Sequence, residues 1–217
     1  MRIMQNMTDI LKKYKTIEGH RQSQFEEEKS IFITNAKYVE SEDEAISFIE
    51  EIRQEHKQAT HNCYAYIINT LPETKRYSDD GEPQGSAGLP MLSVLEKEEV
   101  RNLAVVVTRY FGGKLLGKGG LVRAYTRGVS DTISTNVVCK REYFEVELTH
   151  SYALLGLLEN YLNENKFKII DKTFTDEVTV KLYVRSDDYE KLENDLINLT
   201  SANIKIHKLN TLMLFEK

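Results

Sequence analysis

Of 217 residues none is tryptophan, only three are proline and only two are cysteine. So little proline, with no low-complexity stretch, excludes a long disordered or polyproline segment. The two cysteines, Cys63 and Cys139, make no disulfide framework and form no Cys-x-x-Cys pair. The longest wholly aliphatic run, Leu103 to Val107, falls far short of the ~20 apolar residues that a bilayer span needs. Met1 to Met7 carries no apolar core of signal-peptide length, and Met4 and Met7 serve equally well as starts. Together these absences imply a reducing, cytoplasmic location and no membrane partner. Positive charge is in deficit too: 29 Lys and Arg against 34 Asp and Glu, a net charge of −5. That excludes indiscriminate coating of nucleic acid but leaves room for a local basic patch.

Such a patch is present. Five of the eleven glycines fall in nine residues, Gly112, Gly113, Gly117, Gly119 and Gly120, and Arg101 to Arg127 holds six Lys or Arg and no acid. Clustered glycines let backbone N–H groups face a ligand, and concentrated cations make that ligand an anion, phosphate above all. The aliphatic strand Leu103 to Thr108 feeds this loop, and a helix from about Gly120 to Asn136 leaves it, an arrangement that cradles anions at a helix N-terminus. Gly112-x4-Gly117-Lys118 comes close to a Walker A loop. It fails at Gly119, where the pattern requires a magnesium-binding Ser or Thr. The G-x-G-x-x-G order of dinucleotide sites is missing as well. The expected phosphate contacts are Arg109, Lys114, Arg123 and Arg127, the last two on one helix face. Tyr110, Phe111 and Tyr125 supply rings that can stack on bases, although Tyr125 also fits a core position.

A second unusual segment is acidic, Ser78-Asp79-Asp80-Gly81-Glu82-Pro83 running on to Gly88. Its carboxylates can bind a divalent cation, do acid–base work, form a solvated turn, or pair with the arginines of the glycine loop. The spacing does not match an EF-hand. His61-x-Cys63 offers two metal ligands where tetrahedral zinc needs four, so no metal and no cofactor is expected. Ser86 lies outside any Gly-x-Ser-x-Gly elbow. His61, Asp79, Asp80 and Glu82 are expected to form a rim facing the glycine loop.

The fold class read from the pattern is α+β with two domains, 1–140 and 141–217. In the second, strands are expected at 142–150, 167–174, 178–184 and 204–215. Helices follow Ser151, to about Lys166, and Ser186, each serine acting as an N-cap. That β-α-β-β-α-β order is the ferredoxin-like pattern. In the first, Thr16 to Val39 reads as extended, with a hairpin turn near Gly19. A capping box at Ser41 to Glu44 opens a helix reaching about Lys57. Asn62 to Asn69 reads as a strand, Leu71 to Gly88 as a polar connection, and Leu89 to Val100 as a helix with Pro90 in its first turn.

Several motifs in order resemble the IMPACT/YigZ family: Ala59-Thr60-His61-Asn62-Cys63-Tyr64-Ala65, Ser78 to Pro83, Ala87-Gly88-x-Pro90, Val107 to Gly113, and Leu116 to Tyr125. The resemblance covers about Lys29 to Asn136, and Arg141 to Lys217 resembles the C-terminal domain of the bacterial members. Ser86 stands where threonine is common in the family, and Lys118 at a variable position. The resemblance implies a first domain like the second domain of a small-subunit ribosomal protein, and a second like those of elongation factor G. It also implies a link to translational control, which eukaryotic relatives exert by binding the activator of an amino-acid-sensing kinase. The expected function is therefore RNA or ribosome association that modulates translation, without catalysis. The alternatives are an enzyme acting on a small phosphorylated or peptide-like substrate between the acidic and basic loops, and a protein-interaction module.

Overall fold

A computed structural model describes residues 11–216. The segment Met1 to Met7, read above for its lack of a signal core, lies outside them. The chain forms two compact units: the first runs up to Lys140 and takes in Phe215 and Glu216, and the second is Arg141–Leu214.

The first unit is built on a five-stranded sheet. Its strands are β2 (His20–Glu27), β3 (Ser30–Tyr38), β4 (His61–Ile68), β5 (Thr74–Ser78) and β6 (Leu103–Tyr110), with a short β1 (Lys13–Ile17) ahead of them. The sheet order is β2-β3-β6-β4-β5, and every neighbouring pair is antiparallel. The aliphatic run is the central strand, apolar on consecutive residues because both of its faces are covered. Leu103, Val105 and Val107 pack under helices α2 (Gly88–Lys97) and α3 (Gly117–Ile133), while Ala104 and Val106 face α1 (Glu42–Glu55). The capping box forms at α1: Glu44 N donates to Ser41 Oγ at 3.1 Å, and the Glu44 carboxylate reaches back to the backbone N of Glu40 at 2.9 Å.

Three sequence expectations change here. The hairpin turn is at Glu28-Lys29, not near Gly19. Both turn residues have positive φ (48° and 65°), the backbone that matches the twist of paired strands. That turn aligns Phe25 with Phe32, whose rings stack at 5.1 Å. The polar connection Leu71 to Gly88 contains strand β5, an edge strand of half-buried and exposed side chains, so its residues show no apolar alternation. Helix α3 begins at Gly117, about three residues early, which places Gly119 and Gly120 in its first turn.

The second unit has strands β7 (Val137–His150, entering from the first unit), β8 (Lys168–Phe174), β9 (Val178–Arg185) and β10 (Lys205–Glu216). Helices α4 (Leu155–Glu164) and α5 (Tyr189–Leu199) complete it. β9 lies between β7 and β8, and β10 pairs with β7, giving β8-β9-β7-β10, the ferredoxin-like order. Val146, Leu148, Val180 and Leu182 of the sheet pack on Leu158 and Leu162 of α4 and on Leu192 and Leu196 of α5. Ser151 and Ser186 do not cap through their side chains. A 3₁₀ turn precedes each helix instead, at Tyr152–Leu154 and Ser186–Asp188.

Candidate functional site

The acidic loop folds onto itself before it meets anything else. The Asp79 carboxylate accepts from the backbone N of Gly85 (2.8 Å), Ala87 (3.0 Å) and Gly88 (2.9 Å), so it shapes the loop and caps the start of α2. Asp80 accepts from the backbone N of Asn62 at 2.6 Å and from Arg53 Nη2 at 3.3 Å, tying the loop to β4 and α1. Neither carboxylate lines the pocket described below; both are scaffold, a different role from the rim expected of them.

Glu82 is different. Its Oε1 accepts from Arg109 Nη1 and from the Tyr125 hydroxyl, each at 2.8 Å. The Arg109 and Glu82 side chains are only 6% and 3% exposed. This is the pairing of acidic loop with glycine loop that the sequence left open. Arg109 Nη2 also donates to Ser30 Oγ at 3.3 Å, and its guanidinium carbon lies 5.5 Å from the ring centroids of both Phe32 and Phe111. Arg109 thus belongs to a buried ion pair rather than to an exposed phosphate clamp. His61 sits beside the pair: Nδ1 lies 2.8 Å from the Asp80 carbonyl, and Nε2 lies 3.9 Å from Glu82 Oε2.

Above this buried floor opens a pocket of about 360 Å³. One wall is His61, Gly81, Glu82 and Pro83; the other is Phe111, Leu115, Leu116 and the start of α3 at Gly117 and Lys118. Phe111 is 45% exposed and Leu115 is 86% exposed, an unusual outlay of apolar surface for a loop tip. The α3 N-terminus has no side-chain cap and no acid in its first turn. The first four N–H groups of a helix have no intrahelical acceptor, and the helix dipole places partial positive charge there. Lys118 adds a full charge.

The structure brings His61, Glu82, Arg109, Phe111 and Gly117 of the expected set together at this pocket. The remaining cations are elsewhere. Lys114 pairs with Glu28, and Arg127 pairs with Asp131 (3.2 Å) and Glu27 (3.8 Å) with its guanidinium over Phe25. Arg123 is exposed, and its Nη1 lies 3.7 Å from where a Cβ on Gly119 would stand, but it does not line the pocket. The Tyr110 hydroxyl bonds His56 Nδ1 at 3.0 Å, and Tyr125 is fully buried. Two amides of the loop are already used: Phe111 N donates to Thr60 Oγ1 (3.1 Å) and Gly112 N to Ser30 Oγ (3.2 Å). Lys118 and Leu115 were not among the expected site residues. The signal for Leu115 was an apolar residue inside a glycine-rich loop, where nothing in the local pattern buries it.

Among the described residues, no group of three or more His, Cys, Asp or Glu is arranged to hold a metal. Cys63 lies behind the pocket, its Sγ 2.9 Å from the Asp79 carbonyl and 3.4 Å from the Tyr125 hydroxyl. Burial pushes its thiol well above the ordinary range, and the nearby carboxylates of Glu82, Asp80 and Asp79 push the same way. In the native protein Cys63 is therefore expected to resist a thiol reagent such as DTNB at pH 8, while half-buried Cys139 reacts. Stoichiometric labelling of two thiols without denaturant would contradict this.

Comparison with known proteins gives a consistent match. The Impact N-terminal domain model matches residues 28–133, and a domain of unknown function, DUF1949, matches 148–203. The chain is 37% identical over 198 residues to the IMPACT family member YvyE of Bacillus subtilis, covering 91% of each protein. It is 38% identical to the IMPACT family member YigZ of Escherichia coli over 67% of this chain and 73% of that one. The Protein IMPACT homolog of Dictyostelium discoideum is 34% identical, over 54% of this chain and 36% of its own length. A solved structure titled as a hypothetical protein superposes with a TM-score of 0.59 at 29% identity, covering 92% of this chain and 98% of that one.

Proposed function

The chain belongs to the IMPACT family, and we propose that its first unit binds RNA in the cytoplasm, in the service of translation, through the pocket at the start of α3. The observation that carries this reading is one pocket holding two kinds of surface. Uncapped helix amides and Lys118 favour a phosphate, and exposed Phe111 and Leu115 offer an apolar platform to a base. The buried Arg109–Glu82 pair contributes no net charge, so the positive potential comes from Lys118 and the helix end. That combination fits a single-stranded nucleotide, in which phosphate and base lie side by side.

The test is binding of a short single-stranded RNA across a salt series. Lys118→Ala is expected to weaken binding and lower the slope of log K against log salt by about 0.7. Phe111→Ala is expected to cost about 1–3 kcal/mol, the usual worth of a base stacked on an aromatic ring. Lys114→Ala and Arg127→Ala, whose charges are neutralised by glutamates away from the pocket, are expected to change little. Wild-type affinity in both Phe111→Ala and Lys118→Ala would refute this reading.

A further inference from the structure

The floor of the same pocket carries two hydrogen-bond acceptors with no donor between them. The Asp80 carbonyl can only accept, so the proton it takes at 2.8 Å is on His61 Nδ1. In the neutral ring that leaves Nε2 as a bare acceptor. The Arg109 and Tyr125 bonds both fall on Glu82 Oε1, and Oε2 lies 3.9 Å from His61 Nε2, too far for a direct bond. Both residues line the pocket, and the Glu82 side chain is 3% exposed. Arg109 Nη1 pairs with Oε1 at 2.8 Å, so the second carboxylate oxygen is the one turned toward His61.

We propose that this pair of acceptors selects nucleobases carrying an exocyclic amino group, the Glu82 carboxylate and His61 Nε2 each taking one of its hydrogens. The proposal rests on the RNA-binding reading and names the bases that the site accepts. Two acceptors about 4 Å apart are matched by one nitrogen bearing two hydrogens, as in cytosine N4 or adenine N6. A carbonyl in the same place, as in uracil or hypoxanthine, would set its lone pairs against a buried carboxylate. A site built to hydrogen-bond a donor rejects an analogue lacking it strongly, because its own polar groups are then left unpaired. The flat apolar walls, Phe111 above all, suit the faces of a base ring better than an alkylammonium chain.

Nucleotide pairs of nearly equal shape test this directly. CMP is compared with UMP, and AMP with IMP, each competing with a labelled single-stranded RNA for the full chain. CMP and AMP are expected to compete at least about fivefold more tightly than their partners, the lower end of what one base contact discriminates. His61→Ala leaves the Glu82–Arg109–Tyr125 contacts in place and is expected to narrow both ratios. Equal competition within each pair overturns the proposal. So does the failure of all four to compete with an RNA that binds; in both cases the RNA-binding reading stands. If the RNA itself does not bind, that reading fails and this proposal falls with it.

Discussion

Replacing Glu82 by alanine is expected to cost about 3–5 kcal/mol of stability, measured as a shift of the urea midpoint of the first unit. The reason is what remains behind. The Arg109 side chain is 6% exposed and Tyr125 is fully buried, so removing the carboxylate leaves a guanidinium and a phenol hydroxyl out of water without their acceptor. Water cannot fill the gap cheaply, because Arg109 is also enclosed by the rings of Phe32 and Phe111. Glu82→Gln keeps a neutral acceptor for both donors and should cost less. The double variant Glu82→Leu with Arg109→Leu should lose less than either single change, since it leaves no charge stranded. A loss under about 1 kcal/mol for Glu82→Ala would mean that the pair is hydrated and that the pocket has no fixed floor.

The second large effect separates two glycines that the sequence presents alike. A Cβ on Gly112 would stand 2.0 Å from the carbonyl carbon and oxygen of Lys29 and 2.5 Å from Ser30 N. Those are backbone atoms of the β2–β3 turn, so no side chain can rotate away. The turn must move, and with it Ser30, whose hydroxyl accepts from both Gly112 N and Arg109 Nη2. Gly112→Ala is expected to reach or exceed the upper end of the ~1–3 kcal/mol range for overpacking. Gly119 is the contrast. Its Cβ would meet only Arg123 Nη1 at 3.7 Å, in the first turn of a helix where alanine outranks glycine by up to about 1 kcal/mol. Gly119→Ala is thus expected to stabilise the fold slightly while weakening RNA binding, because a methyl group then stands where the phosphate approaches. Thermal unfolding and RNA affinity on the same two variants check both halves. A Gly119→Ala protein that is stabler and binds as well as wild type would show that this glycine serves no ligand.

Much of the fold was legible because the apolar residues follow the periods of their elements. β6 reads as buried on both faces, α1 announces itself by its capping box, and in the second unit the latter half of β7 and the whole of β9 alternate. β5 was hidden because an edge strand need not bury a face, so Thr-Lys-Arg-Tyr-Ser carries no signal of period two. The β2–β3 turn was missed because its left-handed residues are Glu28 and Lys29, where glycine is the usual sign. At the site, residue types were readable and partners were not. The basic island looked unopposed because no acid lies within it. The hairpin brings Glu27 and Glu28 from the far end of the first unit's sequence to neutralise Arg127 and Lys114. Arg109 looked like a ligand contact and is instead the anchor of Glu82, because its strand carries it below the surface. Lys118, one residue past Gly117, has its meaning only once α3 is seen to begin there.

The most direct measurement is an amide chemical-shift titration of the full chain with a short oligoribonucleotide. If the uncapped start of α3 holds a phosphate, the largest shifts fall on Lys118, Gly119 and Gly120, accompanied by Phe111 on the same wall and His61 across the pocket. Shifts confined to the face carrying Lys114 and Arg127, or to the second unit, with the Gly117 to Gly120 amides unmoved, would contradict it.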